Sequence, residues 1–259
     1  MAGRLRQVTE LYETELQRVT AERAEWMGFL RFAAAHYQYP FDQQLLLYAQ
    51  RPLATVVLPM EDWNLRYGRR VARGAKAIAV FDENYASRRQ LRFLFDIADT
   101  VETNQTRAIP RFEVLPDERP GIVDALEGAV GELAERDSFE QALLSVAQNV
   151  VRERMPEIMR EVLVSLEGSF LENCTDEEIE DVFSSAVAES VGFVLLTKCG
   201  CEPERVMGED AFAALPVLDI VPFEDHFPTD TQLYRMMTTK PSDLYVAQKG
   251  ENDHDRPDA

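Results

Sequence analysis

Residues 39–76 read YPFDQQLLLYAQRPLATVVLPMEDWNLRYGRRVARGAK, and this stretch decides the fold of the first half of the chain. The residue before a proline is pushed out of the helical region, so any preceding helix should end before Pro40. Residues 42–49 predict a short buried helix with Asp42 as its N-cap and Pro52 beyond its end. The stretch therefore begins with a helix between two prolines.

Three apolar segments further along the chain predict β-strands. Residues 53–58 (LATVVL) form a continuous apolar run, which is typical of a buried strand. The second segment, 71–81, is broken by a turn at Gly74, and the third, 91–98, alternates apolar side chains with polar or small ones. A short helix is predicted at 60–67, between the first two strands.

The other parts of the first half are helical or irregular. Residues 4–36 repeat apolar side chains at helical spacing, which predicts one long amphipathic helix or two. The polar segment 82–90 (DENYASRRQ) predicts the tip of a hairpin, and 100–111 predicts an irregular segment. These features together indicate an α+β module with a small antiparallel sheet.

After residues 116–120 (PDERP) the pattern becomes helical and stays so from 121 to 199. The expected helix boundaries are an N-cap at Asp137 or Ser138, a helix start at Met155-Pro156, a capping box from Thr175 to Glu178, a C′ glycine at Gly200 and a further short helix near 209–214. The predicted organisation is an α+β domain at 1–115, a helical domain at 118–225 and a mostly irregular or disordered tail at 226–259.

The net charge of −19 is unevenly distributed. Residues 1–115 contain 16 Lys/Arg and 14 Asp/Glu, whereas residues 116–259 contain 11 and 32. The acidic half would repel a nucleic acid and confine it to the first half. Acidic helices also serve simply to keep a domain soluble, so the charge alone leaves both interpretations open.

The sequence predicts a protein that is not an enzyme. It lacks HExxH, GxGxxG, GxxxxGK[ST] and GxSxG motifs, and His36, His226 and His254 are scattered. We therefore expect no catalytic residue, no metal site and no cofactor. Three cysteines without CxxC spacing, no apolar run of the roughly 18–20 residues that span a bilayer, and no apolar signal core at the N-terminus predict a cytoplasmic protein without a membrane partner.

Positive charge collects beside aromatic rings in one place, residues 63–76. Cations suit the phosphates of single-stranded nucleic acid, and exposed aromatic faces suit its bases. On a short helix the arginines would stand three to four residues apart and several would share a face, while Gly68 and Gly74 would permit a close approach or a sharp turn. The candidate nucleic-acid-binding residues are Gln50, Arg51, Trp63, Asn64, Arg66, Tyr67, Arg69, Arg70, Arg73 and Lys76.

Two alternatives compete with this interpretation. Trp63 and Tyr48, both candidate stacking platforms, would instead be core residues if the arginines only line a solvated hairpin. The protein would also be a protein–protein interaction module if the acidic helical half, around Asp176 to Glu180, binds a partner.

Three sequence blocks, in order, resemble a known family. They are FLRFAAAHYQYPFDQQLLLYAQRP (29–52), EDWNLRYGRRVARGAKAIAV (61–80) and LRFLFDIADT (91–100). Over roughly 26–112 the chain resembles the ArdC-type N-terminal domain, which opens ArdC antirestriction proteins and large multidomain proteins of conjugative elements and phages. SVGFVLLTKCG (190–200) is similar to a helical segment that follows this domain in the large conjugative-element proteins.

This resemblance implies an α+β fold and non-enzymatic binding of single-stranded DNA for a mobile genetic element, in conjugative transfer or antirestriction. Ala77 departs from the pattern, because family members often have Gly there, and the metallopeptidase-like domain with HExxH that follows in ArdC proteins has no counterpart. The positions that fall on the family pattern are Gln50-Arg51-Pro52, Trp63-Asn64, Arg69-Arg70, Gly74 and Lys76.

Overall fold

The computed structural model describes residues 2–82, 90–164 and 173–213, and the chain divides into two compact units after Phe112. Helix α3 (Phe41–Gln50) lies at the centre of the first unit. It packs on α1 (Ala2–Ala21) and α2 (Arg23–Ala35) and also on strand β3 (Ile78–Asp82). Because neighbours cover it on more than one side, five consecutive residues from Gln43 to Leu47 are buried.

The N-terminal helical region consists of two helices, one of the two predicted arrangements. Glu22, between them, has extended backbone angles of φ −139° and ψ 143°, which interrupt the helix. The prediction that Asp42 caps α3 is wrong. The helix already begins at Phe41 after Pro40, so Asp42 lies in the first turn, where the helix dipole favours a carboxylate.

The strands form two small antiparallel sheets. The new elements are β1 (Val57–Pro59), α4 (Met60–Leu65), β2 (Arg70–Val71), β4 (Gln90–Asp96) and β5 (Thr100–Val101). The three-stranded sheet has the order β1-β4-β3, and the two-stranded sheet pairs β2 with β5. The register places Leu58 opposite Phe95 and Ala79 opposite Phe93. The α+β class with a small antiparallel sheet is therefore confirmed.

Several predicted strands have different limits in the structure. The apolar run 53–58 contributes only its last two residues to a strand, and the segment 71–81 is divided between two sheets as β2 and β3. Pairing decides these limits, because β1 and β2 pair with β4 and β5, which lie far along the chain, whereas β3 pairs with the next strand, β4. The predicted hairpin tip falls mostly on residues 83–89, outside the described residues.

Side chains cover the outer edge of β3. The Gln50 amide donates to the Ala79 carbonyl at 2.9 Å and accepts from the Ala79 N–H at 3.1 Å. The Gln43 amide donates to the Phe81 carbonyl at 2.7 Å. These glutamines of α3 supply the hydrogen bonds that another strand would supply, so the edge is not left open for pairing.

The described residues of the second unit form helices, turns and loops without a strand, and the division between the two compact units falls between Phe112 and Glu113. Its described helices are α5 (Arg119–Val130), α6 (Phe139–Val164), α7 (Asp176–Lys198) and α8 (Pro203–Val206). The main contact is between α6 and α7, with α5 packed on α6. The tail predicted for 226–259 lies outside the described residues. None of the helices in the described ranges is long and apolar enough to cross a membrane.

The helix ends of the second unit confirm three predictions. The Ser138 hydroxyl accepts from the Gln141 N–H at 3.1 Å at the start of α6. Thr175 and Glu178 form the expected capping box, with the Thr175 N–H donating to the Glu178 carboxylate at 2.8 Å. Gly200, at φ 75°, follows the end of α7 and takes the left-handed conformation that favours glycine.

Two predictions in this unit are wrong. No helix begins at Pro156, because α6 continues through it from Phe139 to Val164. The buried side chains of Met155, Ile158 and Met159 continue the packed stripe across the proline, and this burial outweighs the lost hydrogen bond. The short helix expected near 209–214 lies earlier, at Pro203–Val206, while 209–213 form turns.

Candidate functional site

The residues from Arg66 to Lys76, here called the cationic turn, leave α4 and are held by backbone hydrogen bonds. The Arg69 N–H donates to the Trp63 carbonyl and the Ala72 N–H to the Asp99 carbonyl, each at 2.8 Å. Antiparallel pairing of β2 with β5 holds the middle of the turn. The helix expected at 60–67 ends at Leu65, so the arginines do not share a helical face.

Four cations of the turn are exposed: Arg66, Arg70, Arg73 and Lys76. None of them forms an ion pair with an acid in the described ranges 2–82, 90–164 and 173–213. The Arg66 guanidinium lies 5.9 Å from the centre of the Tyr67 ring, and this is an attractive cation–π contact. The turn therefore presents positive charge to solvent without neutralising it locally.

Arg69 does not belong with these four. Its side chain is only 12% exposed, and its guanidinium pairs with Glu102 at 2.9 Å. Its Nε donates to the Thr100 hydroxyl at 2.7 Å. Arg69 therefore attaches the cationic turn to the β5 segment, and the binding role predicted for it is replaced by a structural one.

Trp63 is also structural, because it is completely buried. Its indole N–H donates to the Phe95 carbonyl at 2.9 Å, which satisfies the polar end of the ring inside the core. A buried ring cannot stack on a base, so the predicted stacking role is wrong. The alternative interpretation, that Trp63 is a core residue, is the correct one.

The other two candidate platforms differ from each other. Tyr48 is half-buried against Phe29 and Phe32, at ring distances of 5.8 and 5.2 Å. Tyr67 is half-buried with its ring 5.8 Å from that of Trp63, and it belongs to the cationic turn itself. Tyr67 is thus the aromatic side chain that accompanies the exposed cations.

The remaining predicted residues, Gln50, Arg51 and Asn64, differ in what their side chains contact. The Gln50 amide is occupied on both sides by β3, so it supports the sheet rather than a ligand. Arg51 is 3.4 Å from the Asp99 carboxylate, in an ion pair that is partly open to solvent. Asn64 is exposed at the end of α4.

The structure adds one residue that the sequence pattern did not single out. Arg107 lies in the polar segment that was predicted to be irregular, and its N–H donates to the Tyr67 carbonyl at 2.9 Å. Its side chain is exposed. The sequence pattern did not predict Arg107 because it lies far from the turn along the chain, and the two segments meet only in the folded structure.

Other chemistry-bearing groups in the described residues do not form a competing site. Within the described residues no three His, Cys, Asp or Glu side chains are grouped as metal ligands would be. Burial raises the pKa of the Cys199 thiol to about 12 and that of Cys201 to about 11, so both are protonated near neutral pH. An open cavity of about 640 Å³ in the second unit is lined by Arg119 and Glu140, which pair with each other at 3.6 Å.

Comparisons with protein-family models, with curated proteins and with solved structures return no match for this chain. The resemblance to the ArdC-type N-terminal domain therefore stays a prediction from the sequence blocks.

Proposed function

We propose that this protein binds single-stranded DNA through the cationic turn, without catalysing a reaction. The observation that carries the proposal is a set of four exposed cations, none of which forms an ion pair with an acid in the described residues, on a turn whose backbone is held in place. Residues 1–115 contain 14 Asp and Glu residues, yet none of those in the described ranges pairs with these four cations. Its exposure is consistent with a polyanionic ligand.

The expected binding is electrostatic and modest. Each phosphate that the protein neutralises on a single strand contributes about −0.7 to the slope of log affinity against log salt. Four contacts from the turn would give a slope of about −3 by the same rule. Tyr67 offers an aromatic face for a base, and stacking of this kind is tolerant of base identity.

The biological setting is part of the proposal and rests on the sequence blocks 29–52, 61–80 and 91–100. They support a role in the cytoplasm on behalf of a mobile genetic element, in conjugative transfer or antirestriction. A rival proposal gives the main contact to a partner protein at the start of α7, where Asp176, Glu177, Glu180 and Asp181 are exposed. First-turn acids also suit the helix dipole, and this explains part of that cluster without a partner.

The test is fluorescence anisotropy of a labelled oligothymidine at low salt. The variant R70E/R73E should lose binding, because two attractive contacts become repulsive while the fold is kept. The matched control is R152E/R160E, which changes the net charge equally on exposed positions of α6. Circular dichroism checks that both variants are folded.

Binding that is lost only in R70E/R73E supports the proposal. Equal losses in both variants would show that only the net charge matters. No signal from the unaltered protein at about 100 μM would exclude the proposal, since generic affinities lie near or below that concentration.

A further inference from the structure

We infer that Arg107 is part of the same DNA-binding surface and that Gly68 is the residue that brings it there. The inference rests on the proposed function and extends it from one chain segment to two. Arg107 is 31 positions from Lys76, the last cation of the turn, so its inclusion depends on contacts between segments.

Three hydrogen bonds join the two segments at Tyr67 and Gly68. The Gly68 carbonyl accepts from the Thr103 hydroxyl at 2.5 Å and from the Thr106 hydroxyl at 3.3 Å. The Tyr67 carbonyl accepts from the Arg107 N–H at 2.9 Å. The 103–107 segment thus donates hydrogen bonds to two consecutive carbonyls of the cationic turn. These bonds fix the backbone of Arg107 relative to the turn.

The close approach depends on the absence of a side chain at Gly68. Its φ of 59° lies in the left-handed region, where a Cβ is unfavourable. A Cβ built on it would stand 2.6 Å from the carbonyl carbon of Gln105. Because this neighbour is backbone, it cannot rotate away, so any larger residue would push the two segments apart.

The charges of the 103–107 segment and its flank fit a polyanion. Arg107 is exposed and has no ion pair with an acid in the described part of the chain. Glu102, which precedes this segment, is paired with Arg69 at 2.9 Å and so does not neutralise Arg107. Tyr67 therefore has the Arg66 guanidinium near its ring and the Arg107 N–H bonded to its carbonyl. A DNA strand with a base stacked on Tyr67 would pass cations from both segments.

The experiment measures the salt dependence of oligothymidine binding for the full chain and three variants. R107Q should bind more weakly, with a slope less steep by about 0.7, because one phosphate contact is lost. R111Q removes the same charge four residues further on, at an exposed position, and should keep the slope of the unaltered chain. G68A should show the same loss as R107Q or a larger one.

The outcomes separate this inference from the proposed function. If the unaltered chain does not bind, both are overturned. If it binds and R107Q keeps the full slope, or R111Q loses as much as R107Q, only the role of Arg107 is overturned. R107Q decides this even if G68A fails to fold, because the side chain of Arg107 is exposed.

Discussion

The described arginines of the second unit and the exposed arginines of the cationic turn are in different situations. Every arginine described in the second unit has a hydrogen-bonding or ion-pair partner. Arg136, for example, contacts Asp124 at 2.9 Å and Glu127 at 2.6 Å. The others are Arg119, Arg152, Arg154, Arg160 and Arg205. Arg70 and Arg73, by contrast, have no acid partner among the described residues.

This difference shows that net charge does not describe a protein surface. In the second unit most of these arginines contact a carboxylate, which cancels their charge, while Arg152 and Arg160 contact a neutral oxygen. Where several cations stand close together without acids, they repel one another, and the rest of the fold must hold the chain in place. In the first unit the buried Trp63 and the inward-facing Arg69 provide that support.

The largest effect on stability is expected when the buried side chain that supports the cationic turn is removed. W63A should lower the free energy of unfolding by about 3–5 kcal/mol, because a fully buried ring leaves a cavity and an unpaired Phe95 carbonyl. Urea denaturation followed by circular dichroism measures the loss. L65A, at a position that is 80% exposed, is the control and should stay within about 0.5 kcal/mol of the unaltered chain. A stable W63A would mean that Trp63 is not a core residue.

A smaller effect is expected at the edge of the sheet. Q50L should cost about 2 kcal/mol, because the N–H and the carbonyl of Ala79 both lose their partner. The control is Q141L on the exposed surface of α6. If Q50L has normal stability but binds oligothymidine poorly, the ligand role first predicted for Gln50 is restored.

Acid should weaken the first unit through His36. Burial lowers the pKa of His36 from its ordinary 6.5. The Phe32 carbonyl, which accepts from the His36 Nδ1–H at 2.9 Å, and the charge of Asp96 both raise this pKa, but by less than burial lowers it. Since the unfolded chain binds the proton more readily, stability is complete above pH 6.5 and falls as the pH drops below it. The slope cannot exceed about 1.4 kcal/mol per pH unit, which is the limit for one proton.

Urea midpoints between about pH 7 and about pH 5 test this for the unaltered chain and for H36N. The variant should show a flatter dependence on pH. The described residues of the second unit contain no histidine, so its helices provide an internal reference. Identical slopes in the two proteins would contradict a role for His36.

The smallest effect on stability is expected when one arginine from each unit is replaced by alanine. R136A should cost up to about 1 kcal/mol, because two exposed ion pairs are lost, whereas R70A should change stability by less than about 0.5 kcal/mol. Thermal melts at low and high salt measure both. The R136A effect should shrink in high salt. A larger loss in R70A than in R136A would show that Arg70 has a structural partner.

Most helices could be predicted because their signals are local. The capping box at Thr175 and the glycine at Gly200 depend on residues within a turn of each other, and both are confirmed. The helix start expected at Pro156 was wrong because packing of Met155 and Ile158 outweighed a local preference. The limits of β1 and β2 were also missed, since these strands end where their distant partners β4 and β5 end.

The candidate site was predicted as a region, and its members were decided by the fold. Four of the five cations named in 66–76 are exposed, but Arg69 faces inward because Thr100 and Glu102 lie across β2–β5. Nothing in the spacing of Arg69 and Arg70 distinguishes them. Arg107 was missed for the converse reason, since its only link to the turn is a backbone hydrogen bond across the fold.

The sequence by itself determined the class of the fold, the helical character of the second unit and the place where positive charge collects. These follow from composition and from patterns that repeat within a few residues. The tertiary structure alone decided which side chains are buried, which of the described cations pair with an acid and which distant segments meet at Gly68. The physical reason is that burial and pairing depend on neighbours from other parts of the chain.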